Sequence, residues 1–241
     1  MDTGYFKLDG VELDSNEEYR MLIGMMLYLS TNTRPDIAAS VSILSQRVVN
    51  PRNVDMVELK RLIRYIKGTM TAKLRLSSCD RHGEFIGYSD ANWGEDRKDR
   101  KSNSGYYTTL NGGAIAWCCR KQNIVTLSSA EAEYVALTET AKEMMWTRDV
   151  LKQFTGEEPR IMKIMTDSQS AMAMTDSQRF NQRSKHIDIR YHFIRDMVKK
   201  KELILAYVST QVNIADMMTK PLGSNRIQQL REMAGIEEHA L

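Results

Sequence analysis

The spacing of apolar positions changes period once along this chain, at about residue 72. Before that point it is helical. From Glu17 to Ser30, the residues Tyr19, Leu22, Ile23, Met26 and Leu27 fall on one face. Thr33-Arg34-Pro35-Asp36-Ile37 puts Pro and Asp where the first turn of a helix accepts them, and Ile37, Val41, Leu44 and Val48 continue the stripe. Pro51 ends it. Asn53 is placed to cap a third helix, whose Met56, Leu59, Leu62, Ile63 and Ile66 face away from Lys60, Arg61 and Arg64, and Gly68 marks its end. Residues 17–70 therefore predict an N-terminal helical unit behind an irregular leader, residues 1–16. The helical unit holds no acidic cluster or glycine loop suited to chemistry.

Beyond residue 72 the pattern alternates. Lys73 to Leu76 does so briefly, and Glu84 to Tyr88 then reads as an apolar strand ending on Asp90. The segment Gly87-Tyr88-Ser89-Asp90-Ala91-Asn92-Trp93-Gly94 breaks there into a polar turn. Residues 105–110 and 114–119 read as strands around Asn111-Gly112-Gly113, a strong hairpin turn. Thr126 to Glu131 has the composition of a helix start, with Ser128 or Ser129 as cap, and the helical period runs to about Phe154 before Gly156 and Pro159 close it. Residues 161–166 form a buried strand that ends at Asp167-Ser168. Helices over 169–174 and 188–200, a last strand over 203–208, a short helix opening at 213–218 and a final helix over 224–233 complete the order. The boundaries predicted on this pattern enclose a strand-and-helix domain over 71–223 and a C-terminal helix and tail over 224–241.

Candidate chemistry follows from where the acids fall. Asp90 and Asp167 each end an apolar strand. If those strands lie parallel and adjacent, their ends meet on one sheet edge, where open α/β sheets bind ligands. Glu133 lies in the first turns of the long helix, and Asp216 opens a helix after the last strand. Carboxylates gathered in one place repel and call for a cation, and oxygen-only ligands favour magnesium or manganese over zinc. Two such ions about 4 Å apart can activate water and stabilise a leaving oxygen. Taken singly, each acid also has a structural role open to it: an Asx turn for Asp90, a helix cap for Asp167, a solvated helix start for Glu131 and Glu133, and a cap or first-turn position for Asp216.

Charge adds little beyond location. The 241 residues carry a net +3, with basic clusters at Arg97–Lys101 and between Arg179 and Lys201, which suits contact with phosphate or a solvated helix face. Three cysteines, two of them adjacent at Cys118-Cys119, suit a reducing compartment and no zinc site. The longest apolar run, residues 21–29, is too short to span a bilayer, and the first residues lack a signal-peptide pattern, so no membrane association is expected.

Six segments together resemble the ribonuclease H domain of copia-type retrotransposon polyproteins. They are Tyr-Ser-Asp90-Ala-Asn-Trp, Arg-Lys-Ser-Asn-Ser-Gly-Tyr, Leu-Ser-Ser-Ala-Glu-Ala-Glu133-Tyr, Thr-Asp167-Ser-Gln-Ser-Ala, Lys-His186-Ile-Asp-Ile-Arg-Tyr-His192-Phe-Ile-Arg and Asn-Ile-Ala-Asp216-Met-Met-Thr-Lys-Pro-Leu. The likeness covers about residues 84–223. The segment Tyr19 to Leu29, with Thr33 to Ile37, is similar to the stretch that follows the reverse transcriptase palm in the same polyproteins. The resemblance implies an α/β, ribonuclease H-like fold, a mixed five-stranded sheet flanked by helices. It implies hydrolysis of the RNA strand of an RNA–DNA hybrid with two Mg2+ or Mn2+ ions held by Asp90, Glu133, Asp167 and Asp216.

Glu131 is the alternative to Glu133; the two lie about 200° apart on a helix and cannot both face the ions. Ser89, Asn92 and Ser168 are candidates for sugar hydroxyls, and Lys185, His186 and Arg190 for phosphates. His186 and His192 equally suit core or capping roles. The loop before Asp216, Ser209 to Asn213, lacks the histidine that some cellular relatives carry. The expected partners are the hybrid and the remainder of a polyprotein, in a cytoplasmic particle or the nucleus. A fragment without activity, binding nucleic acid or protein, is the alternative. No adjacent aspartate pair of polymerase type is present, so no DNA synthesis is expected.

Overall fold

The computed structural model describes residues 1, 4–5, 9–76, 83–96, 98–157, 159, 161–176 and 185–238. The helical unit comprises α1 (Glu17–Asn32), α2 (Ala38–Ser45) and α3 (Asn53–Gly68), with a 3-10 turn at Pro35–Ile37 leading into α2. Tyr19, Ile23 and Met26 of α1 are buried as the stripe predicts, whereas Leu27 is exposed. The cap of α3 is not Asn53 but Arg52, whose backbone N–H donates to the Asp55 carboxylate at 2.7 Å. The described residues of the leader are irregular yet tied down. Tyr5 is buried and donates to Asp55 at 2.6 Å, and backbone bonds join Leu13 to Pro51 and Asn53 to Val11.

The main sheet has five strands: β2 (Glu84–Asn92), β3 (Asn103–Leu110), β4 (Gly113–Lys121), β5 (Ile161–Thr166) and β6 (Ile204–Tyr207), in the order β4-β3-β2-β5-β6. The first three pair antiparallel, and β5 and β6 add in parallel, giving the mixed sheet of the ribonuclease H-like fold. The β3–β4 hairpin turns on Asn111 and Gly112, both at positive φ, as a two-residue hairpin of this twist requires. A separate pair, β1 (Ala72–Leu74) with β7 (Ile236–Glu238), ties the C-terminal segment back to the domain entrance. Residues 203–208 are therefore not the last strand. The 236–238 run was too short to stand out from the tail.

Helices cover both faces. On one lie α4 (Ser129–Thr155), α5 (Gln169–Asp176) and α6 (Lys185–Lys199), which bury Tyr134, Leu137, Met144, Ala171, Ile194 and Met197 against Phe85, Met162 and Ile164 of the sheet. Ser128 caps α4, its hydroxyl accepting from the Glu131 N–H at 3.2 Å. Gly156, at φ 74°, closes the helix by donating to Lys152 O at 2.9 Å. On the other face a 3-10 turn at Ile214–Met218 and α7 (Ser224–Met233) pack with Ala38 against Tyr107 and Ala114.

The helical unit docks on this second face. Trp117 Nε1 donates to Ser30 O at 2.7 Å. Tyr65 lies between two guanidinium groups, Arg34 at 5.5 Å and Arg231 at 6.0 Å from its ring centroid. Below it, Arg34 grips the fully buried Asp36 carboxylate with two bonds of 2.9 and 2.7 Å, and Tyr65 donates to the same carboxylate at 2.5 Å. Substituting Asp36→Ala leaves the buried Arg34 guanidinium without this carboxylate, with its bonds to Thr69 Oγ1 and Thr69 O remaining, and should lower unfolding stability by about 3–5 kcal/mol. Urea denaturation measures this, and a loss below roughly 1 kcal/mol would contradict the role given to the pair.

Candidate active site

Asp90 lies within β2, not at its end, because the antiparallel pairing with β3 carries the strand on to Asn92. That placement removes the Asx-turn alternative. The parallel pairing with β5 stops earlier, at Tyr88 and Met165. Two residues beyond that pair come Asp90 on one strand and Asp167 after the other, so the register itself brings the two carboxylates side by side. Ser168 takes the capping role that was open to Asp167. Its hydroxyl accepts from the Ala171 N–H at 3.2 Å, which leaves the Asp167 carboxylate to the site.

The third acid arrives on α4. Gly87 lets that helix lie close to β2, since a Cβ there would meet Met144 Sδ at 2.6 Å and Thr140 Cγ2 at 2.9 Å. Of the two glutamates, Glu131 turns back to accept from the Leu127 N–H at 2.6 Å and fixes the helix start. Glu133 faces the sheet edge. Carboxylate oxygens of Asp90, Glu133 and Asp167 all lie within 4.8 Å of one another.

Among the described residues Asp216 is not part of that group. It sits in the 3-10 turn at Ile214–Met218, where Asn213 caps the turn by accepting from the Ala215 N–H at 3.2 Å. Gly105, the cross-strand partner of Asp90, makes room for this turn: a Cβ there would fall 2.6 Å from Met218 Cβ and 2.7 Å from Thr219 Cγ2. The Asp216 carboxylate is buried and held by two cations, Lys220 Nζ at 2.6 Å and Arg226 Nη2 at 2.9 Å.

Residues that sequence reasoning did not single out hold the acids in place. The Thr219 hydroxyl donates to Asp90 in a short bond. Thr210 Oγ1 donates to Asp167 Oδ2 at 2.6 Å, and Asn213 Nδ2 donates to Asp167 Oδ1 at 3.3 Å and to Ser89 O at 3.1 Å. The loop that lacks a histidine thus supplies an aspartate with two donors. Only the Asp216-to-Lys220 spacing of four carried a local signal for any of this, as an i,i+4 pair.

The electrostatics fit a divalent cation. Burial, and then the neighbouring Asp90 and Asp167, push the Glu133 carboxyl up to about 9. Burial in the first place also raises Asp90, to about 6, with Asp216 and Asp167 adding to the shift against Lys220 and Thr219. Glu133 Oε2 is buried and has no hydrogen-bond partner. Three converging hard oxygens, one of them orphaned, match magnesium or manganese chemistry.

The candidate substrate residues are spread more widely. Ser89 is fully buried, and strand alternation puts its side chain on the face opposite Asp90. Ser168 is engaged as a cap, as above. Asn92 is half-buried at the site's edge and donates to Glu95 in a short bond. Arg190 projects from α6 into a cavity of about 220 Å3 shared with Tyr106, Arg120 and Glu143. The side chains of Lys185 and His186 lie outside the described residues. His192 is exposed.

No family model matches the chain. It is 38% identical over 221 residues to the retrovirus-related Pol polyprotein from transposon TNT 1-94 of Nicotiana tabacum, covering 92% of this chain and 16% of that protein. It is 35% identical over 236 residues to the corresponding polyprotein from transposon RE1 of Arabidopsis thaliana, covering 94% of this chain and 15% of that one. Among solved structures, LC11-RNase H1 in complex with an RNA/DNA hybrid aligns with a TM-score of 0.41 at 15% identity, over 56% of this chain and 94% of that one.

The mixed five-stranded sheet in the order β4-β3-β2-β5-β6, with helices on both faces, is a ribonuclease H-like fold. Over most of its length the chain is homologous to retrovirus-related Pol polyproteins of copia-type transposons, and it spans about 15–16% of the length of these two relatives. Among the described residues no helix is long and apolar enough to cross a membrane.

The raised Glu133 carboxyl carries a pH signature. Its folded-state pKa, about 9, stands above the ordinary 4.5, so the stability it contributes is full below that ordinary value and is lost as pH rises towards 9. Held in chelator, the protein should melt at progressively lower temperature between those limits, and Glu133→Gln should flatten the decline. An equally steep decline in the variant would contradict this assignment.

Proposed function

We propose that this chain is the ribonuclease H segment of a copia-type Pol polyprotein and cleaves the RNA strand of RNA–DNA hybrids. Asp90, Glu133, Asp167 and Asp216 would hold two magnesium or manganese ions. The observation that carries the reading is the convergence of Asp90, Glu133 and Asp167 within 4.8 Å at the point where the parallel strand pairing ends. Bound there, divalent ions supply the positive charge that activates water for in-line attack and stabilises the leaving 3′ oxygen.

The chain's own residues do the positioning. Strand backbone fixes Asp90, and the Thr219 hydroxyl orients it from the opposite side. Thr210 and Asn213 hold the Asp167 carboxylate by both oxygens. The N-terminal turns of α4 carry Glu133 into the gap between them. Asn92, at the rim, is the candidate contact for a sugar hydroxyl, the group that distinguishes RNA from DNA. Arg190, with Lys185 and His186 on the same helix, is the candidate contact for the backbone phosphates, which makes binding salt-dependent.

A labelled RNA–DNA hybrid incubated with the purified chain and magnesium should be cut to products with 5′ phosphate and 3′ hydroxyl ends. Asp167→Asn should lose at least the roughly 100-fold that even an outer-shell change can cost a metal site. An uncut hybrid, or equal cutting by the variant, would remove the proposal. Binding without cutting would leave a nucleic-acid-binding module in its place.

A further inference from the structure

Asp216 is the one candidate acid that stands apart, and its surroundings say why. Each of its oxygens faces a different cation, Oδ1 the Lys220 ammonium at 2.6 Å and Oδ2 the Arg226 guanidinium at 2.9 Å. Both cations are themselves fixed. Arg226 reaches across from α7 and also donates to the carbonyls of Thr210 and Gln211, the turn whose Thr210 hydroxyl holds Asp167. Lys220 follows directly on Thr219, which bonds Asp90. One guanidinium thus hydrogen-bonds Asp216 Oδ2 and ties it into the network around the three-carboxylate group, while the ammonium pairs with Oδ1 by charge alone, that oxygen having no hydrogen-bond partner.

We propose that Lys220 and Arg226 form a cation clamp on Asp216, so that the protein alone presents one divalent-ion site, at Asp90, Glu133 and Asp167, and a second ion must displace the clamp. This inference rests on the nuclease reading above and concerns how its metal site is regulated. The clamp's logic is Coulombic. Two fixed positive charges on one carboxylate oppose the approach of a third, and the opposition is strong where burial limits screening. Lys220 Nζ lies 2.6 Å from Oδ1 and Arg226 Nη2 lies 2.9 Å from Oδ2, so the two cations close both sides of the carboxylate. Lys220 and Arg226 are positioning residues here, acting through Asp216.

The test is titration with manganese alone, without nucleic acid, following free Mn2+ by electron paramagnetic resonance. The unmodified chain should bind one ion, and Asp90→Asn should lose it. Lys220→Met and Arg226→Gln should each gain a second ion, with affinity raised on the order of ten-fold by removal of a nearby unit charge. Lys220→Arg, which keeps the charge, should stay at one. Arg226→Gln also gives up two carbonyl contacts, so Lys220→Met, which leaves that turn intact, separates the loss of charge from the loss of structure. Two ions on the unmodified chain, or one ion on both charge-removing variants, would overturn the clamp and leave the nuclease reading standing. No ion on the unmodified chain would remove the nuclease reading, and the clamp with it.

Discussion

Three carboxylates share a space that cannot comfortably hold three negative charges. Everything around Asp90, Glu133 and Asp167 manages that repulsion. Burial and mutual proximity push the Glu133 carboxyl well above the ordinary carboxylate range, and Thr219 donates to Asp90 while Thr210 and Asn213 donate to Asp167. Such an arrangement is expensive for a fold that gains nothing from it. The balancing charge it calls for is a divalent cation, and a cation is also what the proposed hydrolysis needs.

The backbone brings these groups together through two close approaches that only glycine permits. Gly87 admits α4 against β2 and so delivers Glu133. Gly105 admits the 214–218 turn against β3 and so delivers Thr219 and Asp216. Behind that turn stands the helical unit, with Ala38 in the same buried cluster as Ile214, Met217 and Met218. Its Tyr65, between Arg34 and Arg231, joins the unit to α7, the helix that carries Arg226. The N-terminal helices hold no chemistry, yet they are part of the wall that places the fourth acid.

Much of this was legible in the residues, and the limits have physical causes. The five strands and the long α4, from the Ser128 cap to Gly156, follow from period and punctuation, which are local properties. Asp90 and Asp167 could be paired only by supposing parallel adjacent strands, and the observed register bears out that supposition. What the pattern could not show depends on contacts distant in sequence. Ser89 looked available beside Asp90, but strand alternation sends it to the interior. Asp216 looked equivalent to the other acids, but Arg226 ten residues on, in a separate helix, makes it different. Leu27 fitted the helical stripe, yet the stripe is wider than the surface that covers it. The short 236–238 strand exists because 72–74 waits for it, and no local signal marks so brief a pair.

The most direct measurement is diffraction from crystals soaked in manganese, with data collected at the manganese absorption edge. The account predicts an anomalous peak coordinated by oxygens of Asp90, Glu133 and Asp167, and no such peak in Asp90→Asn. An anomalous map featureless at that position, or a peak that persists unchanged in the variant, would contradict it.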